Sequence, residues 1–360
     1  MNPDRLQAYL DETISAGLFS AVTALIATPD EILWEGSAGQ ARPGLPATPS
    51  TRYDFGSITK PFAATLALLL DRAGELPLAT RVGQIFPETA PALRRRSLSS
   101  LLRHRSGVAA WASLYTRCFS LPDVFSLLLG GTLPPASPGT YSDLSYLIWS
   151  LAAERRLGIP FGTLLRDRVL LPLGLSRVEP NPGDQPDIAE SFMGTGKEVE
   201  LAAAQGFAIP DLGPAPPGLA NDGNARFLRT LGLEPAGHAG LFGTARDLLA
   251  LGAEWLRPGL LLQPADVDRA LAGGGPFALG WWRRRNRQGG GGAALPAGSF
   301  GHTGFPGGNL WVDPTPGNRG RILVLLGHRI DPFGPVNSWR RRFHTLAYDG
   351  PSAREASRPA

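Results

Sequence analysis

Residues 55–70 read Phe55-Gly56-Ser57-Ile58-Thr59-Lys60-Pro61-Phe62-Ala63-Ala64-Thr65-Leu66-Ala67-Leu68-Leu69-Leu70, with Asp71-Arg72-Ala73-Gly74 behind them. From Pro61 to Leu70 the run is apolar on every side, so it predicts a helix buried all round, opening at Ser57 and stopping at Gly74. Lys60 stands at the mouth of that helix. The chain carries 35 Lys plus Arg, but only Lys60 and Lys197 are lysine. Wherever a plain surface cation would serve, arginine is used. A guanidinium stays protonated at any physiological pH, so it cannot replace a lysine that must lose its proton. Serine and lysine three positions apart lie on one side of a helix, within reach of each other. Burial and the positive helix N-terminus both oppose an ammonium there. The shift a lysine needs to act as a base near neutral pH is worth roughly 4 kcal/mol. The bland alternative is an N-cap serine followed by a lysine whose head reaches solvent.

At 360 residues, 43% hydrophobic and 18% charged, the chain reads as a soluble globular protein with ample core. Net charge is +4. The runs Arg94-Arg95-Arg96 and Arg283-Arg284-Arg285 read as solvated faces, and no nucleic-acid motif accompanies them. Cys118 is the single cysteine, which excludes an internal disulfide and a Cys-based zinc site and reads as a buried filler. The start of the chain has no basic leader before an apolar core, and the longest apolar run, Phe62 to Leu70, is too short to span a bilayer. The expectation is a cytoplasmic protein without membrane or nucleic-acid partners.

Pattern divides the chain in three. Residues 3–17 predict a helix, and Ala21–Ala27 and Ile32–Gly36 predict strands about a Thr28-Pro29-Asp30-Glu31 turn. Between about 75 and 275 the pattern is helical: Ser97–Arg103, Asp143–Leu157, Thr163–Val169, and a capping box at Thr244 opening a helix to Trp255. Residues 180–225 read as an irregular excursion. Strands return at Phe277–Arg283, Gly308–Val312 and Arg321–Leu326, with a flexible hairpin tip at Gly289–Gly292 and a closing helix at Pro335–Ala347. The expected fold is therefore α/β (α+β): one antiparallel sheet built from both chain ends, flanked by helices, with a mainly helical insert. The expected lobes are 1–75 with 276–349, and 76–275; residues 350–360 are expected to be a disordered tail.

Two further segments carry chemistry. Pro138-Gly139-Thr140-Tyr141-Ser142-Asp143 puts a tyrosine and two short polar residues before a helix, and Gly301-His302-Thr303-Gly304-Phe305 precedes a strand. With Ser57-x-x-Lys60 they resemble the three ordered signatures of the serine β-lactamase and penicillin-recognising superfamily, Ser-x-x-Lys, Tyr-x-Asn and Lys/His-Thr-Gly. Phe55–Pro61, Leu101–Gly107, Gly237–Phe242 and Leu310–Pro314 are similar to the branch holding class C β-lactamases, D-Ala-D-Ala carboxypeptidases and family VIII esterases. The resemblance runs from about 15 to 345.

The resemblance implies Ser57 as acylated nucleophile, Lys60 as proton acceptor and Tyr141 as partner acid/base. The backbone N–H groups of Ser57 and Phe305 would form the oxyanion hole, and Asp143, His302, Thr303 and Gly304 would bind substrate. No cofactor or metal is implied, and the partner is a small-molecule acyl substrate. Two positions depart from the pattern. Asp143 stands where asparagine is usual, and His302 stands where β-lactamases carry lysine. The first puts a negative charge beside Lys60; the second removes a cation that would hold a substrate carboxylate. The expectation is thus a serine hydrolase acting on small acyl esters or amides. A D-Ala-D-Ala carboxypeptidase or weak β-lactamase is the alternative within the class. A catalytically weak acyl-binding or regulatory protein is the alternative outside it. His104 and His238 read as hydrogen-bonded structural residues, Asp222 and Asn224 as braces behind the site, and Trp111, Trp149, Trp281 and Trp282 as core or acyl-pocket residues. No Gly-x-Ser-x-Gly elbow surrounds Ser57.

Overall fold

A computed structural model of the protein describes residues 1–284, 290–315 and 320–349. Its centre is an antiparallel sheet of seven strands: β1 (Phe19–Ala27), β2 (Ile32–Arg42), β3 (Leu45–Pro46), β7 (Trp282–Arg283), β8 (Phe300–Thr303), β9 (Asn309–Asp313) and β10 (Arg321–Arg329). Their order is β3-β2-β1-β10-β9-β8-β7, so the first and last strands pair at its middle, with Leu25 opposite Val324 and Ile26 opposite Leu323. Period-two alternation sends these strands into two cores. Val22, Ala24, Ile26, Leu323 and Leu325 pack with Leu6, Tyr9, Leu10 and Phe343 of the terminal helices Pro3–Ser15 and Val336–Tyr348. Ala21, Leu25, Ile322, Val324 and Leu326 face the other way, toward Phe62 and Leu66 of helix Thr59–Arg72 and Leu248 and Leu251 of helix Ala245–Leu256. A sheet covered on both faces needs strands apolar on both faces, and β1 and β10 are buried almost throughout.

A second sheet joins β4 (Tyr53–Asp54), β5 (Glu179–Pro180) and β6 (Leu241–Gly243) in the order β4-β6-β5. It ties the segment just before Ser57 to the chain around residue 241 through Asp54 opposite Phe242.

The expected architecture is the one observed, with local corrections. Ser57 lies in a tight 3₁₀ turn, Gly56–Ile58, and the α-helix begins at Thr59. The strand expected over Phe277–Arg283 shrinks to Trp282–Arg283. Gly280, at φ +83°, folds the chain back so that Ala278 N–H meets the Trp281 carbonyl, and a Cβ there would lie 2.3 Å from the Ala64 methyl. The excursion at 180–225 contains helix Gly196–Ala204, whose Ala202 packs with Trp111 and Ile209. The helix expected over Thr163–Val169 is α only over Phe161–Leu165 and widens into a π turn at Arg166–Leu170. Gly290–Gly292 lies in the connection between the antiparallel strands β7 and β8 and is packed: the Gly291 carbonyl accepts from His344 Nδ1 at 2.7 Å, and Trp311 fills the space a Cβ would need. Gly289, Arg285 and the tail at 350–360 lie outside the described residues. The lobe boundaries at 75 and 275 stand as a proposal.

Candidate active site

Asp54 locks the corner that presents Ser57. One carboxylate oxygen accepts the Gly56 N–H at 2.8 Å and the other the Asn221 N–H at 2.8 Å, while the Asp54 N–H donates to His328 Nε2 at 3.0 Å. Burial pushes this carboxyl up to about 6 against those two N–H bonds. Gly56 sits at φ +50°, where an L side chain is strained, and a Cβ on it would meet Pro306 Cδ at 2.7 Å. A Cβ on Gly304 would lie 2.3 Å from the Phe55 carbonyl oxygen. These two glycines let the β8–β9 turn close directly over residues 55–57.

Two buried arginines hold that turn from behind. Arg340 donates through Nη2 to the carbonyls of Gly304 (2.7 Å) and Gly308 (2.9 Å), and through Nε to Gly307 (3.2 Å). Arg329 donates to the Phe305 carbonyl at 2.7 and 3.1 Å and lies over the Phe305 ring. Burial lowers Arg340 to about 9 and Arg329 to about 10.

At the bottom of the cleft Lys60 is fully buried, at 0% exposure. Its Nζ donates to Ser57 Oγ at 2.9 Å and to the His238 carbonyl at 3.1 Å, and pairs with Asp143 Oδ1 at 2.6 Å. The rings of Tyr141 and Tyr146 lie 4.8 and 5.6 Å from it. Burial pulls Lys60 below the usual lysine range, and Asp143 pulls the other way. Tyr141 hydrogen-bonds with Ser57; burial, reinforced by Asp143, holds its phenol well above its ordinary value.

Tyr141 is wedged among rings: Trp282 stacks on it at 5.0 Å, His104 sits at 4.6 Å and His302 at 6.0 Å. His302 is 1% exposed, and its Nδ1 donates to the Thr303 carbonyl at 2.9 Å. Burial drives both His302 and His104 well below the usual imidazole range, with Lys60 adding to the effect, so both are neutral at pH 7. His104, at φ +54°, accepts the Ser142 N–H on Nδ1 at 3.0 Å and so fixes the turn carrying Tyr141.

The cleft above Ser57 has a volume of about 290 Å³. Its wall includes Ala110, Trp111, Tyr141, Phe305 and Pro306 on the apolar side, and Asp54, Asp143, Glu198 and Asp222 on the acidic side. Asp222 caps helix Gly223–Thr230 and meets His238 Nε2 at 3.2 Å; burial opposes its charge, yet His238 holds it below the usual carboxylate range. Glu198 accepts the Gly223 N–H at 2.8 Å; burial and the nearby Asp222 push it up to about 8. Lys197 also reaches the cleft, 39% exposed and paired with Glu200. Among the described residues no group of three or more His, Cys, Asp or Glu is arranged to hold a metal ion.

A hydroxyl bonded to a buried amine beside a phenol is an arrangement able to support attack on an acyl carbon. The family model described as Beta-lactamase matches residues 6–343. The chain belongs to the beta-lactamase family. That is a family of serine hydrolases that includes β-lactamases, DD-carboxypeptidases and esterases. Penicillin-binding protein 4 of Amycolatopsis lactamdurans is 33% identical over 140 residues, 37% of each chain. A putative D-alanyl-D-alanine carboxypeptidase of Escherichia coli K12 is 24% identical over 92% of this chain and 83% of its own. Among solved structures, EstCE1, a hydrolase with promiscuous acyltransferase activity, superposes with a TM-score of 0.69 at 18% identity, covering 95% of this chain and 97% of its own.

Within this family frame the structure gathers Ser57, Tyr141 and Asp143 around Lys60, with Phe305 in the same cleft wall. His302 lies behind Tyr141 rather than in the wall, and Gly304 is bound from the rear by Arg340. Asn224 braces residues 112–114 by bonds to the Leu114 N–H and Ala112 carbonyl. Trp111 lines the cleft and Trp282 supports Tyr141, whereas Trp149 and Trp281 are core. Sequence reasoning missed Asp54, Glu198, Arg329 and Arg340. Asp54 had a local signal, a carboxylate three residues ahead of Ser57; the other three had none.

Proposed function

We propose that the protein is a serine hydrolase that forms an acyl-enzyme at Ser57 and acts on small neutral acyl esters or amides. The observation that carries the reading is the 2.9 Å bond between Ser57 Oγ and the fully buried Lys60 amine. In its neutral form Lys60 takes the Ser57 proton as Oγ bonds to the acyl carbon and the carbonyl electron pair moves onto oxygen. The N–H groups of Ser57 and Phe305 receive that oxyanion; losing one such donor typically costs about 10²–10³ in rate. As the tetrahedral centre collapses, the bond to the leaving group breaks, the Tyr141 phenol protonates it, and Lys60 returns its proton toward Tyr141. Water then repeats the sequence against the acyl-enzyme and releases the acid.

The charge of the cleft supports the ester reading over carboxylate-bearing substrates. Three aspartates, Asp54, Asp143 and Asp222, line it beside a Glu198 that keeps its proton at neutral pH, its Lys197 is paired with Glu200, and His302 is neutral. A D-Ala-D-Ala carboxypeptidase is the second reading, favoured by the Escherichia coli relative that matches 92% of the chain. Turnover of p-nitrophenyl acetate and butyrate, of nitrocefin and of a D-Ala-D-Ala peptide, each with Ser57→Ala beside the unaltered protein, separates them. Ester turnover lost in Ser57→Ala is expected; dominant peptide or nitrocefin turnover overturns the substrate assignment. No covalent adduct at Ser57 with any acyl probe would return the chain to an acyl-binding role.

A further inference from the structure

Asp143 is the first residue of helix Asp143–Leu157, where the positive end of the helix favours a carboxylate. Its Oδ1 is buried and receives no hydrogen bond from any other group; what it meets is Lys60 Nζ at 2.6 Å. That oxygen is therefore committed to the lysine and not free for a substrate amide. Every other group around the amine can be named. The Ser57 hydroxyl comes from the 3₁₀ turn, the Tyr141 and Tyr146 rings from the 140s, and the His238 carbonyl from the loop before β6. Asp222 adds negative charge at longer range, and the neutral His104 and His302 add none. The one full charge in direct contact is Asp143.

We propose that Asp143 is a positioning residue for the proton on Lys60: the site rests as a Lys60 ammonium–Asp143 carboxylate pair, and acylation proceeds from the fraction in which Lys60 has released a proton to solvent. The inference rests on the reading of Ser57 as nucleophile and Lys60 as its base. In the reactive fraction the Ser57 proton moves to Lys60 Nζ as Oγ bonds to the acyl carbon, so the charge at Nζ is restored as the oxyanion forms. An uncharged partner at 143 would let go of the extra proton more readily. The chain's aspartate thus restrains the enzyme at neutral pH and lets it run faster as the medium becomes alkaline.

The test uses the scarcity of lysine. With Lys60 and Lys197 the only two, ¹³Cε-lysine labelling gives two resonances, one of them buried. Lys60 is expected to be charged at pH 7 in the unaltered protein. In Asp143→Asn its titration, and the acid limb of kcat/KM for p-nitrophenyl butyrate, are expected to move down by about 1–3 pH units. Ester turnover at neutral pH then rises about tenfold or more. Asp143→Glu keeps both near the unaltered values, and Asp143→Ser repeats the Asn result should the amide disturb the helix start. A neutral Lys60 at pH 7 in the unaltered protein overturns the proposal without any variant, as does a limb that stays put in both neutral variants. Failure of the hydrolase reading is separate: it appears as absence of a Ser57 adduct in the mass spectrum after a fluorophosphonate probe, whatever the lysine resonances do.

Discussion

The guanidinium of Arg340 and the carbonyl of Gly304 meet at 2.7 Å inside the fold, 36 residues apart in sequence. The same nitrogen holds Gly308, so one side chain clamps both ends of the turn that faces Ser57. Arg340→Met takes the charged donor from both carbonyls and leaves each one backbone N–H, from Gly307 to Gly304 at 3.2 Å and from Gly304 to Gly308 at 2.8 Å, at a cost of about 1.5–3 kcal/mol. The expected result is a lower melting temperature together with a fall in kcat of about 10², larger than the change in KM. Arg340→Lys should restore part of both. A normal kcat in a folded Arg340→Met protein would show that turnover does not depend on the clamp.

Gly56 tests the same closure from the other side. Its φ of +50° and the 2.7 Å approach to Pro306 Cδ leave no room for a methyl. Gly56→Ala is expected to cost about 1–3 kcal/mol in urea unfolding and to slow acylation at least tenfold. Unchanged ester turnover with wild-type stability would contradict the described contact.

Lys60→Arg keeps the charge but cannot supply a base. Stopped-flow acylation should fall by orders of magnitude, with residual activity that no longer rises with pH. Near-normal rates would mean that the lysine is structural.

The acidic wall makes a statement about substrate charge. At equal chain length, p-nitrophenyl butyrate is expected to exceed the p-nitrophenyl hemisuccinate monoanion in kcat/KM by about tenfold or more, since like charge inside a low-dielectric cleft disfavours binding. Added salt should narrow the gap only slightly, because buried and half-buried charges are weakly screened. Equal values for the two esters would remove charge from the account of specificity.

Stability carries its own pH signature. His104, His302, His328 and His344 are all depressed by burial, the last two to about 4. Between about pH 4 and 6.5 the unfolded chain binds protons on them that the fold excludes, so stability rises with pH through that window. Asp54 and Glu198 run the other way. Their folded carboxyls keep protons that the unfolded chain releases, so each withdraws stability as pH rises, Asp54 up to about 6 and Glu198 up to about 8. Glu198→Gln removes its share. Relative to the unaltered chain the variant should gain about 2 kcal/mol between pH 6.5 and 8 in urea titrations. A difference that stays flat over that range would show that Glu198 is already ionised in the fold.

The parts of the site legible in the sequence were those encoded by short spacing and unusual residue type. Ser57 and Lys60 share one turn, and lysine is rare enough in this chain to stand out. The sheet was legible where strands are long and apolar on both faces, as in β1 and β10. It failed at Phe277–Trp281, where apolar residues of strand type are bent back by Gly280 against Ala64, a tertiary contact with no local sign. Arg340 could not be singled out in a chain that uses arginine for nearly every cation. Glu198 reaches the cleft through a short helix whose Val199 and Ala202 join a small cluster with Trp111, Tyr115, Phe207 and Ile209.

The pairing of β1 with β10 has a cost during synthesis. Until β10 leaves the ribosome, β1 has an unfilled side in the middle of what will be the sheet, and β9 lacks its neighbour as well. An apolar strand waiting that long with open backbone groups is a template for wrong partners. Slow refolding and aggregation of chains released before β10 is made are the outcomes expected from where that strand is inserted.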